Sequence, residues 1–290
     1  MDYSLRDKNQ FYSAFKKVCK KLGIKENKEK PLLSMSNGGG KYYLEFSRFS
    51  LVSFFNKVAT TKKLMTSKYY PKSWILKSKG EMERLKLRDK YYFVKPMYGW
   101  ACETISLMRG KKLLIDNGVR YPCIVQEEVV PRLVGGYKVD YRVYVLYVRE
   151  GGKVGVYYYP VGMIRRCKEK FGNRKTAGNM LTYQGSYEYL DPVDVRGEKM
   201  EECLREVNGF VVGKMGGSWE GKLEFEVAGY DLIEDEGGKY WVLEVNSGSG
   251  FFQHEKYIEF QTELIEDIIY NILLYEQKGK LDFQRFIKIL

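Results

Sequence analysis

Phe225-Glu226-Val227-Ala228-Gly229-Tyr230-Asp231-Leu232-Ile233, a turn from Glu234 to Gly238, and Tyr240-Trp241-Val242-Leu243-Glu244-Val245-Asn246 together read as a β-hairpin. Residues two apart on a strand share a face, so Glu244 and Asn246 project together while Val245 turns toward a core. Closure through Gly237 and Gly238 brings Asp231 alongside them from the neighbouring strand. Two carboxylates and an amide oxygen are hard ligands of the kind that suit Mg²⁺, which keeps some of its water and bridges to phosphates. Asp231, Glu244 and Asn246 are therefore the candidate metal ligands. For an isolated E-x-N word the simpler reading is a half-exposed strand facing solvent, and its surroundings decide between the two.

Upstream, Lys138-Val139-Asp140-Tyr141-Arg142 alternates in the same way, with Lys138, Asp140 and Arg142 on one face and apolar residues on the other. Val145, Leu146 and Tyr147 continue the run, so the charged face is expected to line a polar cleft. Lys95 ends the strand Tyr91 to Val94, and Lys62 lies in Thr60-Thr61-Lys62-Lys63-Leu64. Either lysine alone reads as a surface residue. Beside an acidic triad, both make sense as phosphate ligands, because phosphoryl transfer needs cations against the developing charge. Gln126, Glu127 and Val129 stand at the end of the strand beginning at Cys123 and could present an amide and backbone groups to an adenine edge.

Further strands are expected over Lys138–Arg149 and Val154–Pro160, turning near Gly151 and Gly152. Helical stripes are expected over Asn9–Lys25, stopping at Gly23, and over Tyr257–Tyr275, where Ile258, Leu264, Ile265, Ile268, Ile269 and Leu273 form the apolar side. Lys77–Lys90 reads as a helix or an exposed connection. The fold class is α+β, with mostly antiparallel sheets and flanking helices.

The formal net charge of +12 is unevenly placed: residues 1–100 hold 23 Lys and Arg against 8 Asp and Glu, and the remaining residues hold 26 against 29. A field concentrated in the first third attracts polyanions without choosing among them. Five scattered cysteines without a C-x-x-C pair indicate neither a disulfide framework nor a zinc site. No apolar run has the length of a membrane span, and a cytoplasmic protein without a membrane partner is expected.

The order of these words resembles the tubulin tyrosine ligase-like family. The counterparts of its motifs are Thr60 to Leu64, Val94-Lys95-Pro96, Gln126 to Val129, Lys138 to Arg142, Gly162-Met163-Ile164-Arg165, Leu181-Thr182, Gly229 to Asp231 and Leu243 to Asn246, spanning about residues 56 to 270. The resemblance implies an ATP-grasp fold, in which two α+β units hold ATP between them. The expected organisation is a basic N-terminal subdomain over 1–60, a central ATP-grasp subdomain over 61–130 and a C-terminal ATP-grasp catalytic subdomain over 131–290. Carried over, Lys62 and Lys95 contact ATP phosphates, and Gln126 with Glu127 and Val129 binds adenine. Lys138, Asp140 and Arg142 line the cleft, Thr182 belongs to the nucleotide site, and Arg165 holds an acyl phosphate or substrate carboxylate. Asp231, Glu244 and Asn246 bind Mg²⁺, with Arg142, Arg165 and Glu244 as the catalytic set. The implied reaction uses ATP to phosphorylate a carboxylate, which the amine of a free amino acid such as glutamate, glycine or tyrosine then attacks.

The expected partners are a free amino acid and an acidic protein or peptide acceptor, with the enzyme acting as a monomer. Rival readings are an ATP-grasp ligase for a small metabolite or peptide, and a non-catalytic nucleic-acid-binding protein on a ligase-like fold. Asp231, Glu244 and Asn246 disfavour the second, since a binding module has no use for an intact metal hairpin. Lys138-Val139-Asp140 also resembles the K-x-D-G word of nucleic-acid ligases, but Tyr141 stands where that word needs glycine. The one histidine, His254, and Cys102 are read as ordinary residues.

Overall fold

The longest runs of β-branched and aromatic residues, Tyr137–Glu150 and Leu223–Glu234, pair antiparallel from Tyr141 opposite Leu232 to Glu150 opposite Leu223. The computed structural model describes residues 2–5, 10–26, 33–35, 49–51, 57–97, 105–116, 118–150, 152–172, 187–212, 223–246 and 255–290. In chain order these form β1 (Asp2–Leu5), α1 (Gln10–Lys21), β2 (Lys25–Glu26), β3 (Leu33–Met35), β4 (Phe49–Leu51) and α2 (Lys57–Leu64). Next come β5 (Ser73–Leu76), α3 (Lys79–Arg84), β6 (Tyr91–Pro96), β7 (Ser106–Arg109), β8 (Lys112–Ile115) and β9 (Cys123–Glu127). Then follow β10 (Leu133–Val134), β11 (Tyr137–Glu150), β12 (Lys153–Tyr158), β13 (Val161–Lys170), β14 (Tyr187–Tyr189) and β15 (Val193–Asp194). The last elements are α4 (Glu198–Val212), β16 (Leu223–Glu234), β17 (Tyr240–Asn246), α5 (Glu255–Lys278) and β18 (Ile287–Lys288).

Strands β11 and β16 are long enough to serve two neighbours each. The free edge of β11 takes β13 along its first half and β12 along its second. That of β16 takes β17 at the hairpin end and β4 at the other. Strands β4, β3, β1 and β2 continue the sheet in parallel, so the described strands up to Leu51 extend the large sheet. The five strands between Ser73 and Glu127 form a second, fully antiparallel sheet in the order β5-β9-β6-β7-β8. This smaller sheet joins the rest through two adjacent chain crossings, and they are tied down by Glu127 N donating to Lys72 O at 2.8 Å and Arg132 N donating to Glu234 O at 2.8 Å.

Helices cover both faces of the large sheet. On one, α1 and α5 pack Val18, Cys19, Leu264 and Ile268 against Tyr144, Leu146 and Phe225. On the other, α2 and α4 pack Leu64, Cys203, Leu204 and Val207 against Val145, Tyr147, Tyr230 and Val242. Gly23, at φ +70°, ends the first helix as its composition requires. Ile258 departs from the expected stripe: it is half exposed, and Tyr257, Phe260 and Gln261 take the inward positions. The buried Asp267 and Asn271 of α5 accept main-chain N–H groups of Asp282, Gln284 and Arg285 and so fasten the tail, whose β18 pairs with β12. Among the described residues no helix is long and apolar enough to cross a membrane.

Candidate active site

Four neighbouring strands of the large sheet bring the charged words into one row. Register places Arg165 of β13 opposite Asp140 of β11, Arg142 of β11 opposite Asp231 of β16, and Asp231 opposite Glu244 of β17. Directly opposed residues share a face, so the row is a consequence of pairing. Arg142 grips Asp231 with Nε to Oδ1 at 2.5 Å and NH2 to Oδ2 at 3.0 Å. Arg165 bridges both acids, with Nε to Asp140 Oδ1 at 2.7 Å and NH2 to Asp231 Oδ1 at 2.9 Å. Asn246 Nδ2 adds a bond to Asp231 Oδ2 at 3.2 Å.

Two backbone devices make the row possible. In β17, Asp231 faces Glu244 while the next residue, Leu232, faces Val242, so Leu243 is an extra residue in a β-bulge. The bulge lets Val242 and Val245 both enter the α4 core while Glu244 and Asn246 point to the opposite face. In β13, a Cβ on Gly162 would come within 2.9 Å of Arg142 O and of Val195 Cγ1, so the glycine lets β13 lie close against β11.

The arginines and acids are nearly sealed: Asp140, Arg142 and Arg165 are 4%, 6% and 4% exposed. Burial alone would raise the pKa of Asp231, but the Arg142 and Arg165 charges outweigh it and hold the carboxyl below its ordinary 3.8. Burial likewise works against the Arg142 charge, and Asp231 offsets it, keeping the guanidinium ionised. Two residues farther along β11, burial pushes the Tyr144 phenol up to about 12, against the pull of the nearby arginines.

The smaller sheet faces this row. Lys95 Nζ donates to Gln126 Oε1 at 2.7 Å. Lys138, buried on the large sheet, sets its Nζ 5.2 Å from the ring centre of Phe93 on β6, a cation–π contact across the cleft. Gln126 Nε2 is buried and has no acceptor in hydrogen-bond geometry among the described residues. The Tyr70 phenol lies beside that amide and near Glu244; burial and then Glu244 push its pKa up, and the Gln126 amide pulls it down. Beyond the crossing, Glu127 to Val130, Pro71, Lys72, Asp235 to Gly237 and Trp241 line a groove of about 430 Å³.

Lys95, Gln126, Lys138, Asp140, Arg142, Arg165, Asp231, Glu244 and Asn246 thus stand where the two sheets meet. Val129 lies on the groove, and Glu127 pairs with Lys90 on the outer side of its strand. Lys62 is exposed on α2 and makes no hydrogen bond or ion pair among the described residues, so the structure does not join it to this set. Thr182 lies outside the described residues. The sequence reading did not single out Tyr70, Phe93, Tyr144 or Gln261. Only Gln261, an amide within an apolar helical stripe, had a signal that could have found it.

The donor set fits Mg²⁺ in kind but not yet in arrangement. Among the described residues no three acidic, histidine or cysteine side chains converge, so the set depends on the Asn246 amide oxygen. Both oxygens of Asp231 already accept two N–H bonds each, about the capacity of a carboxylate. Metal binding therefore needs Asn246 to turn its amide so that oxygen replaces nitrogen. The buried Gln126 amide, beside the Tyr70 phenol, and the nearby Lys95 suit a nucleotide base and phosphate respectively.

A small antiparallel sheet facing a large mixed one, with lysine and glutamine opposed to a row of arginines and carboxylates, is consistent with the α+β, ATP-grasp-like fold of the family that this chain matches. Residues 34–210 match the model of the tubulin-tyrosine ligase family, more than half of the 290 residues, and the chain belongs to that family. That match ends before the Asp231 hairpin. A probable tubulin polyglutamylase of Mus musculus is 28% identical over 186 residues, covering 52% of this chain and 34% of the relative. A probable alpha-tubulin polyglutamylase of Tetrahymena thermophila is 24% identical over 314 residues, covering 94% of this chain and 70% of the relative. The chain thus matches about a third of the length of the mouse relative.

Proposed function

We propose that this chain is an ATP- and Mg²⁺-dependent ligase that joins an amino acid, such as glutamate, glycine or tyrosine, to a carboxylate of an acidic protein or peptide. The observation that carries the reading is the row in which Asp231 holds two buried arginines beside Glu244 and Asn246. Glu244 and Asn246, with Asp231 once Asn246 has turned, would hold the metal. Lys95 and Gln126 would hold the nucleotide against the groove at Val129. ATP supplies the phosphoryl group that activates the acceptor carboxylate for attack by an amine. Arg142 and Arg165 would neutralise that carboxylate as its charge changes, in a site from which burial excludes most water.

The polyglutamylase names of the relatives support glutamate as the first amino acid to try and a tubulin tail as the first acceptor. The test is to incubate the protein with Mg-ATP, labelled amino acids and acidic acceptor peptides, and to measure ADP release with acceptor mass. An amino-acid mass increment on the acceptor is expected. ADP release with modification of free amino acids or small peptides alone would favour a metabolite ligase. Absence of both would reject the ligase reading.

A further inference from the structure

Helix α5 turns two polar side chains, four residues apart on one face, toward the strands that carry Arg142 and Arg165. Tyr257 is fully buried, and its hydroxyl donates to Leu190 O at 2.7 Å with Ile164 O 3.4 Å away. Gln261 is 4% exposed and donates from Nε2 to Tyr144 Oη at 3.2 Å. The Tyr144 hydroxyl donates in turn to Met163 Sδ at 3.1 Å.

The targets of these bonds are adjacent to the two arginines. Ile164 precedes Arg165, and Leu190 follows Tyr189, the register partner of Arg165. Leu190 N also donates to Ile164 O at 3.1 Å, so the Tyr257 hydroxyl sits where two backbone carbonyls and one strand bond meet. Met163 is the register partner of Arg142, and Tyr144 lies two residues beyond Arg142 on the same face. An apolar side chain would fill either helix position without the desolvation cost that a buried amide or hydroxyl brings. The other buried polar groups of α5, Asp267 and Asn271, serve the distant tail.

We infer that Tyr257 and Gln261 are positioning residues that hold Arg165 and Arg142 in their shared geometry on Asp231. Both act through intervening groups. Tyr257 holds the backbone just before Arg165 and just past its partner on β14, and Gln261 fixes the phenol that backs Arg142. Preorganised charge is effective in proportion to how little it moves, so the bonds behind the arginines set the quality of the cleft. Where the inference concerns rate, it rests on the proposed ligase activity.

Tyr257→Phe tests it with little disturbance, because the ring keeps its edge contact with Phe260 at 5.8 Å and loses only the hydroxyl. Hydrogen exchange is read on peptides covering 161–170 and 187–190, with 223–234 as reference. Exchange of the β13–β14 pair is expected to rise at least tenfold while the reference stays unchanged. In the ligase assay, kcat is expected to fall on the order of 10- to 100-fold for Tyr257→Phe and for Gln261→Met, with ATP KM unchanged. Ile272→Val, a core change at the far end of the same helix, controls for lost stability and should leave kcat unaltered. Unchanged exchange in Tyr257→Phe overturns the inference, as does a kcat loss that Ile272→Val reproduces. If the wild type modifies no acceptor, the ligase reading fails, and the exchange measurement still decides the positioning role.

Discussion

Asp231 accepts four N–H bonds from three residues on three other strands, and its charge is what makes two sealed guanidiniums tolerable. Asp231→Asn is expected to cost about 3 to 5 kcal/mol, the range for leaving a buried charge without its partner. Chemical denaturation measures it, and a loss below about 1 kcal/mol would mean that the arginines find other partners or water. The same carboxyl gives a pH dependence. Its folded pKa lies below the unfolded value of 3.8, so its contribution is fully present above that value and is lost as pH falls toward the folded pKa. The wild type should therefore lose stability steeply below about pH 4, and Asp231→Asn should flatten that limb. Glu244→Gln is a different kind of change, since Glu244 lies at the half-buried end of the row. It should abolish ADP release while the melting temperature stays within a few degrees. Full turnover in a folded Glu244→Gln protein would remove Glu244 from the metal set.

At the scale of elements, the sequence could be read wherever alternation was regular. Strand β9 begins and ends where its composition places it, and the hairpin of β16 and β17 closes through the expected glycines. Strand register brought Asp231, Glu244 and Asn246 to one face, as period two requires. The bulge at Leu243 was not legible, because nothing in Trp241-Val242-Leu243-Glu244 marks which apolar residue is left over. The stripe Met200, Cys203, Leu204, Val207 and Val211 of α4 was legible, yet our reading left it unassigned. Gly162 was visible only as part of a word, and its reason is the 2.9 Å approach of Arg142 O. Gly162→Ala should push β13 from β11, costing about 1 to 3 kcal/mol as an overpacked contact does. It should also depress turnover more than a surface change of equal thermal cost. Unaltered stability would show that β11 or Val195 gives way without loss.

For the whole molecule, the surplus of cations over residues 1–100 exceeds what a nucleotide cleft uses. Helix α1 turns Val18 and Cys19 onto α5 and keeps Lys17 and Lys20 exposed, while Lys21 reaches Glu266 at 2.5 Å. Exposed charges are screened beyond about 8 Å at physiological salt, so an acidic acceptor steered by this field should bind less well as salt rises. Replacing Lys17 and Lys20 by Glu should raise acceptor KM and leave ATP KM unchanged. Equal acceptor KM across salt and across these variants would remove α1 from the docking surface, and tight RNA binding by the wild type would favour the nucleic-acid reading. The cleft as a whole was less legible than its parts, because the approach of Phe93 to Lys138 is a distance between sheets and leaves no trace in either strand's pattern. The two chain crossings that join those sheets lie side by side, since β5 and β9 pair with Ser73 opposite Gln126. Such a pair constrains motion as two hinges on one door do: the small sheet can swing about one line but cannot slide along it. Opening would then alter the separation of Lys95 from Asp231 far more than that of Val129 from Trp241, so the end of the cleft near the groove is the pivot and the arginine row is the free edge.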